Sequence, residues 1–94
     1  MRALLIASTL ALLGAPALAQ TIEYGKDRAG SDISNFSLPA NSVPQNCQGA
    51  CLANGACVAW TFARSGWQGP TPRCWLKNAV PAPTDNFCCV SGRK

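Results

Sequence analysis

The stretch CQGACLANGACVAWTFA, residues 47–63, decides the fold of this 94-residue chain. Its first part predicts a helix that carries Cys47 and Cys51 one turn apart, and the Asn-Gly pair that follows is a typical helix end. Its second part, Cys57 to Ala63, reads as a β-strand rich in apolar residues. A helix joined by a short turn to a strand, with three cysteines between them, is therefore the predicted centre of the structure.

The helix is expected to begin at Ser42, which is placed to cap it, with Pro44 in the first turn and Gln45 placed to complete a capping box. One apolar stripe then follows at helical spacing. Its members are Val43, Cys47, Ala50 and Cys51. Because side chains one turn apart do not easily bridge each other, each helical cysteine is expected to bond a different partner.

Two strands supply those partners. On the first, Cys57–Ala63, small residues occupy one side, which is expected to let the helix pack closely, while the bulky Trp60 and Phe62 occupy the other. A second strand, Cys74–Lys77, follows a turn-rich loop. The short return from the helix favours pairing of Cys51 with Cys57, which leaves Cys47 for Cys74.

Cys88 and Cys89 are adjacent, and neighbouring side chains of an extended strand point to opposite faces. The two are therefore not expected to enter the core together. Three states remain open for them: a vicinal disulfide, two free thiols, or a bond to another chain. An oxidising compartment favours the first of these.

The first 19 residues predict a secretory signal peptide, and residues 20–94 a single domain. A short positive start precedes an apolar run from Ala3 to Leu13, too short for a membrane span, and Ala17-Leu18-Ala19 is the pattern that signal peptidase cuts after. The protein is thus expected in the periplasm or secreted, and this signal suits a Gram-negative bacterium. Six cysteines in an exported chain indicate disulfides.

Composition argues against several function classes. The chain has no His, and its cysteine spacings are unlike those of zinc knuckles, so neither a metal nor another cofactor is expected. The formal net charge is +4, yet no basic run is present, which argues against a nucleic-acid partner. Ser65, Ser91 and Lys77 form no readable catalytic pair, so the protein is not expected to be an enzyme.

These pieces together resemble the PAN/Apple family in its compact bacterial form. The matching motifs are Gly30-x-Asp32-Ile33-x-x-Phe36-x-Leu38, the C-x3-C-x5-C run from Cys47 with Val58-Ala59-Trp60-Thr61, then Cys74-Trp75-Leu76-Lys77 and Val90-Ser91-Gly92-Arg93-Lys94. The resemblance implies a small disulfide-rich α+β fold, one α-helix packed on a short antiparallel β-sheet, with pairing of Cys47 with Cys74 and Cys51 with Cys57. It also implies a non-catalytic module that binds a protein or a carbohydrate. Larger Apple modules add a bridge between their terminal strands, for which this chain has no Cys before Cys47.

The predicted ligand site lies on the loop between the two strands. Trp67 is placed to stack on a sugar or anchor a protein partner, and Arg64, Gln68 and Arg73 supply hydrogen-bond donors. Trp67 folded back over the sheet is the alternative. Trp60 and Trp75, set in strands, are expected to be packing residues. A small secreted enzyme inhibitor or toxin-like protein is the alternative function.

Overall fold

The computed structural model describes residues 21–94; the predicted signal peptide lies outside these described residues. Five strands and one helix follow one another in the order β1, β2, α1, β3, β4, β5. Their bounds are β1 Thr21–Asp27, β2 Asp32–Ser37, α1 Pro44–Leu52, β3 Ala59–Ala63, β4 Arg73–Lys77 and β5 Thr84–Arg93. The fold is thus a small disulfide-linked α+β structure, as the sequence predicted.

The strands form one antiparallel sheet in the order β1-β5-β3-β4-β2. The central strand, β3, is buried along its whole length, because β5 and β4 flank it on either side and both of its faces are covered. The N-terminal and C-terminal strands pair along β1 and β5, from Thr21 opposite Arg93 to Asp27 opposite Thr84. Sequence order and spatial order therefore differ, and the chain ends beside its described beginning.

The helix packs on the bulky side of β3, and the expectation that it would pack on the small side was wrong. Cys74 lies directly opposite Phe62 in the sheet, so the two share a face, and Cys74 is bonded to Cys47 of α1. Trp60 and Val90 join the same buried cluster. The physical reason is that large apolar side chains gain most from removal from water, so the helix covers them rather than the small residues.

The helix begins one residue later than predicted. Val43, not Ser42, is the N-terminal cap, and its backbone N–H donates to the Asn46 side-chain Oδ1 at 2.8 Å. Val43 is itself 48% exposed and does not join the buried stripe, which consists of Cys47 and Cys51. Pro44 sets the start of the helix, because its ring fixes the backbone in a helical conformation and its missing N–H needs no partner there.

The disulfides occupy two separate places. In the structure Cys47 is bonded to Cys74 and Cys51 to Cys57, and all four side chains are at most 1% exposed beneath the helix. Cys88 is bonded to Cys89. These last two are 7% and 2% exposed and form a second small cluster with Ala63.

The expectation that Cys88 and Cys89 would not be buried together was wrong, because β5 is not regularly extended there. Between the pairs Tyr24–Val90 and Lys26–Asp85, β1 has the single residue Gly25, with φ of 73°, whereas β5 has four residues, 86–89. This bulge interrupts the alternation of side chains that the prediction assumed.

Candidate functional site

The sheet face opposite the helix carries a row of polar and aromatic side chains. Thr61 of β3 lies directly between Trp75 of β4 and Ser91 of β5. Thr61 and Ser91 are 3% and 0% exposed. We call this side of the sheet the polar face. Small residues on β3 leave space above the sheet here.

The segment that joins β1 to β2 folds over the polar face. Its turn has Gly30 with φ of 104°, a backbone conformation that favours glycine. The Lys77 ammonium, on a side chain 3% exposed, donates to the Gly30 carbonyl at 3.1 Å and to the Asp32 carboxylate at 2.5 Å. This buried cation therefore fixes the segment to β4.

Arg28 anchors the other end of the same segment. Its guanidinium donates two hydrogen bonds to the Glu23 carboxylate, at 2.8 and 2.9 Å, and one to the Pro81 carbonyl at 2.5 Å. Hydrogen bonding to Glu23 raises the pKa of Arg28 above its ordinary value. The segment is thus held at one end by the Arg28 guanidinium and at the other by the Lys77 ammonium.

Between this segment and the sheet lies an open cavity of about 200 Å³. We call it the polar-face cavity. Its walls combine charged, amide, hydroxyl, aromatic and sulfur-containing side chains, with backbone from the turn. The lining residues are Asp27, Ala29, Gly30, Asp32, Thr61, Gln68, Trp75, Lys77 and Cys89.

The floor of the cavity is a fixed hydrogen-bond acceptor. The Ser91 hydroxyl donates to the Lys26 carbonyl at 2.9 Å, so its only proton is used there. The Thr61 hydroxyl, 2.8 Å from the Ser91 oxygen, is then the donor between these two groups. With its proton committed to Ser91, the Thr61 oxygen is left to accept a bond from a bound ligand.

One wall is an aromatic ring held in place on both sides. The Trp75 indole N–H donates to the Gln68 side-chain Oε1 at 2.8 Å, which leaves the amide N–H groups of Gln68 free to donate. The Arg73 guanidinium lies 6.0 Å from the Trp75 ring centre. Arg73 is itself tied to β2 through Asn35 Oδ1 at 2.8 Å and Ser37 Oγ at 3.0 Å. Trp75 therefore presents a pre-positioned apolar surface.

Of the four residues predicted as a ligand site, two lie at the polar-face cavity and two lie outside it. Gln68 lines the polar-face cavity, and Arg73 flanks its aromatic wall. Trp67 is 57% exposed beyond the lining and is not folded over the sheet. Arg64 also lies beyond it, with its Nε donating to the Phe87 carbonyl at 3.0 Å.

Sequence reasoning missed the residues that form most of the cavity. Trp60 is a packing residue, 1% exposed, but Trp75 lines the cavity although it was expected to pack in the core. The signal for Trp75 was available, since it alternates with Cys74 and Leu76 and must face away from the helix when they face it. Lys77 and Asp32 gave no such signal, because their pairing depends on how the strands meet.

Two further properties of the described residues bear on the site. Among residues 21–94, no group of three or more His, Cys, Asp or Glu side chains is arranged to hold a metal ion. Within the same residues, the helix α1 lacks the length and apolar character that crossing a membrane requires.

The disulfide-linked helix thus covers one face of the antiparallel sheet, and the polar-face cavity lies on the other. The chain belongs to the PAN domain family, whose model matches residues 26–77. PAN domains are generally non-catalytic modules that bind proteins or carbohydrates. The matched range includes α1, β3, β4 and the segment over the cavity, and it ends before β5. No curated protein and no solved structure matches the chain.

Proposed function

We propose that this protein is exported and acts outside the cytoplasm as a non-catalytic module that binds a neutral carbohydrate in the polar-face cavity. The disulfides and the family support the export, since such bonds persist in oxidising compartments. The observation that carries the ligand class is the lining of the cavity, which sets an aromatic ring beside fixed hydrogen-bond donors and acceptors.

This lining suits a sugar because each sugar hydroxyl both donates and accepts hydrogen bonds. The Thr61 oxygen and the Asp32 carboxylate accept, and the Gln68 amide donates. The flat indole of Trp75 offers an apolar surface for the C–H side of a sugar ring. A cavity of about 200 Å³ is below the size of a drug-binding pocket and fits one ring of a longer chain.

The charge of the cavity argues for a neutral or amino sugar over an acidic one. The charged residues of the lining are Asp27, Asp32 and Lys77, which gives the lining a formal charge of −1. The positive charge of the whole chain is therefore not concentrated at this site. An acidic sugar would bring a further carboxylate into a site that already carries excess negative charge.

The same contacts support a binding rather than a catalytic role. The Asp32 carboxylate is occupied by Lys77, and the Thr61 and Ser91 hydroxyls are bonded to each other and to the backbone. A nucleophile needs an adjacent base to take its proton, whereas the hydrogen-bond partners of these hydroxyls among the described residues are each other and the Lys26 carbonyl.

The test is a calorimetric titration with D-glucose, D-galactose, D-mannose and N-acetyl-D-glucosamine, and with D-glucuronic acid as the acidic member. We expect at least one neutral sugar to bind with Kd of about 1 mM, and D-glucuronic acid to bind more weakly than D-glucose. Trp75→Ala is expected to abolish measurable binding. Trp67→Ala, an equal truncation outside the cavity, is expected to leave it unchanged. Failure of all five sugars to bind, or equal loss in both variants, would contradict the proposal.

A protein ligand is the second candidate, and exposed aromatic side chains outside the cavity favour it. Phe87, in the β5 bulge, is 87% exposed, and Trp67 is 57% exposed. Arg64 connects them, because it donates to the Phe87 carbonyl and its own carbonyl accepts from the Trp67 N–H at 3.3 Å. Aromatic and Arg side chains are enriched at protein interfaces. This candidate requires Phe87→Ala and Trp67→Ala to weaken capture of the partner, and leaves Trp75→Ala without effect.

A further inference from the structure

The Cys88–Cys89 disulfide lies on the side of the polar-face cavity opposite the aromatic wall. Thr61 of the central strand marks the floor. Trp75, on β4, lies on one side of it, and Cys89, on β5, lies on the other. A ligand ring in the cavity is therefore placed between an indole and a disulfide.

This disulfide does not act as a staple of the fold. A cross-link stabilises mainly by closing a loop in the unfolded chain, and adjacent residues close none. The bonds from Cys47 to Cys74 and from Cys51 to Cys57 already join the helix to the sheet and close the turn that follows the helix. The burial of Cys88 and Cys89 thus needs a different explanation from stability.

The position of the Cys88–Cys89 bond in the chain also distinguishes it from the other two disulfides. It falls in the β5 bulge, beyond residues 26–77 that match the PAN family model. The Cys88 N–H donates to the Asn86 side chain at 3.0 Å, and the Cys88 carbonyl accepts from the Arg64 N–H at 2.8 Å. The bulge is therefore held in one shape at the edge of the cavity.

We propose that the Cys88–Cys89 disulfide is a ligand-contacting wall of the polar-face cavity, and that its reduction by a dithiol removes ligand binding while the fold persists. This inference rests on the proposed function, because it assigns a second wall to the same site. The intact bond locks two side chains into one compact apolar surface. Two separate thiols regain rotation about their side-chain bonds, so the shape that faces Trp75 is lost.

The reduction is a two-electron exchange with a thiol reductant. One thiolate of the dithiol attacks the Cys88 sulfur, because Cys88 is the more exposed of the two residues at 7%, and the S–S bond breaks as a mixed disulfide forms. The released Cys89 thiolate takes a proton. The second thiolate of the dithiol then displaces Cys88, which is also protonated, and the dithiol leaves as its own disulfide. The other four cysteines are at most 1% exposed and lie under the helix, where the same attack is hindered further.

The experiment compares oxidised protein, protein treated with dithiothreitol, and the double variant Cys88→Ala/Cys89→Ala. Peptide mass spectrometry after alkylation identifies which bonds are open, and an amide NMR spectrum reports the fold. The ligands are the four neutral sugars named above. We expect dithiothreitol to open this bond first, with native amide shifts retained away from β5, and affinity to fall by about tenfold or more in both altered forms.

The outcomes separate this inference from the proposed function. If oxidised wild-type protein binds none of the sugars, the proposed function fails and this inference fails with it. If oxidised protein binds but either altered form binds equally well, the disulfide is not a wall and only this inference is overturned. An unfolded double variant, or simultaneous opening of all three bonds, also overturns it, because the bond would then be a structural staple.

Discussion

At the scale of single residues, the ion pairs Lys77–Asp32 and Lys26–Asp85 differ in how far they are buried. The Lys77 side chain is 3% exposed and its partner Asp32 is 33% exposed, whereas Lys26 and Asp85 are 42% and 87% exposed. Hydrogen bonding to Lys26 lowers the pKa of Asp85, yet both groups stay in water. The buried pair is therefore expected to contribute more to the stability of the fold than the exposed pair, because removal of Lys77 leaves a partly buried carboxylate without its partner.

We predict that Lys77→Met lowers the free energy of unfolding by about 2–3 kcal/mol, because Asp32 loses its cation and the segment over the cavity loses two hydrogen bonds. Lys26→Met, the matched change at the exposed pair, is predicted to cost much less, because both of its charged groups are already in water. Chemical denaturation of the two variants checks this. Equal losses would show that the buried ion pair is not what holds the segment.

At the scale of elements, the approach of β1 and β5 depends on the absence of a side chain at Gly92. A Cβ there would meet the Thr21 carbonyl and would lie 2.5 Å from Cζ2 of Trp60. Neither neighbour moves freely, since one is the backbone of β1 and the other a core ring that is 1% exposed. Gly49 in α1 differs, because a Cβ there meets no described atom within 4 Å.

Gly92→Ala is accordingly predicted to destabilise the protein by about 1–3 kcal/mol or more through overpacking. Gly49→Ala is predicted to stabilise it by up to about 1 kcal/mol, because alanine is the better helix former. Thermal unfolding followed by circular dichroism measures both. A Gly92→Ala protein that melts at or above the wild-type temperature would contradict the packing of β5 on Trp60.

The sequence predicted the secondary-structure elements better than it predicted which face of the sheet the helix covers. The C-x3-C spacing and the cysteine-containing strands predicted the helix, β3 and β4, because periodicity is a local property. The face that the helix covers was assigned wrongly, because it depends on which side of β3 gains more from burial. That error also hid Trp75, whose alternation with Cys74 and Leu76 places it in the cavity once the helix face is known.

At the scale of the whole molecule, a core of this size needs cross-links. A domain below about 80 residues rarely gains more than about 3–5 kcal/mol from its apolar core. The bonds with sequence separations of 27 and 6 contribute about 3.6 and 2.4 kcal/mol in the chain-entropy model. The longer link, from Cys47 to Cys74, is thus comparable to the core itself.

We predict that Cys47→Ala or Cys74→Ala leaves the protein largely unfolded at about 37 °C. The Cys88→Ala/Cys89→Ala double variant serves as the control, because it removes a disulfide that closes no loop, and it should melt near the wild-type temperature. Calorimetry of the three variants checks the ranking. A cooperative transition near the wild-type midpoint for Cys47→Ala would contradict the claim that the Cys47–Cys74 disulfide is required for folding.

The claim on which the functional account depends is that the sheet face opposite the helix binds a neutral sugar. The most direct measurement is an amide and indole NMR titration of labelled protein, in its oxidised form, with the four neutral monosaccharides. We expect shifts at the Trp75 indole N–H, the Gln68 amide and the Thr61 backbone, with α1 unchanged. No shift with any of the four sugars, or shifts confined to the helix side, would contradict the account.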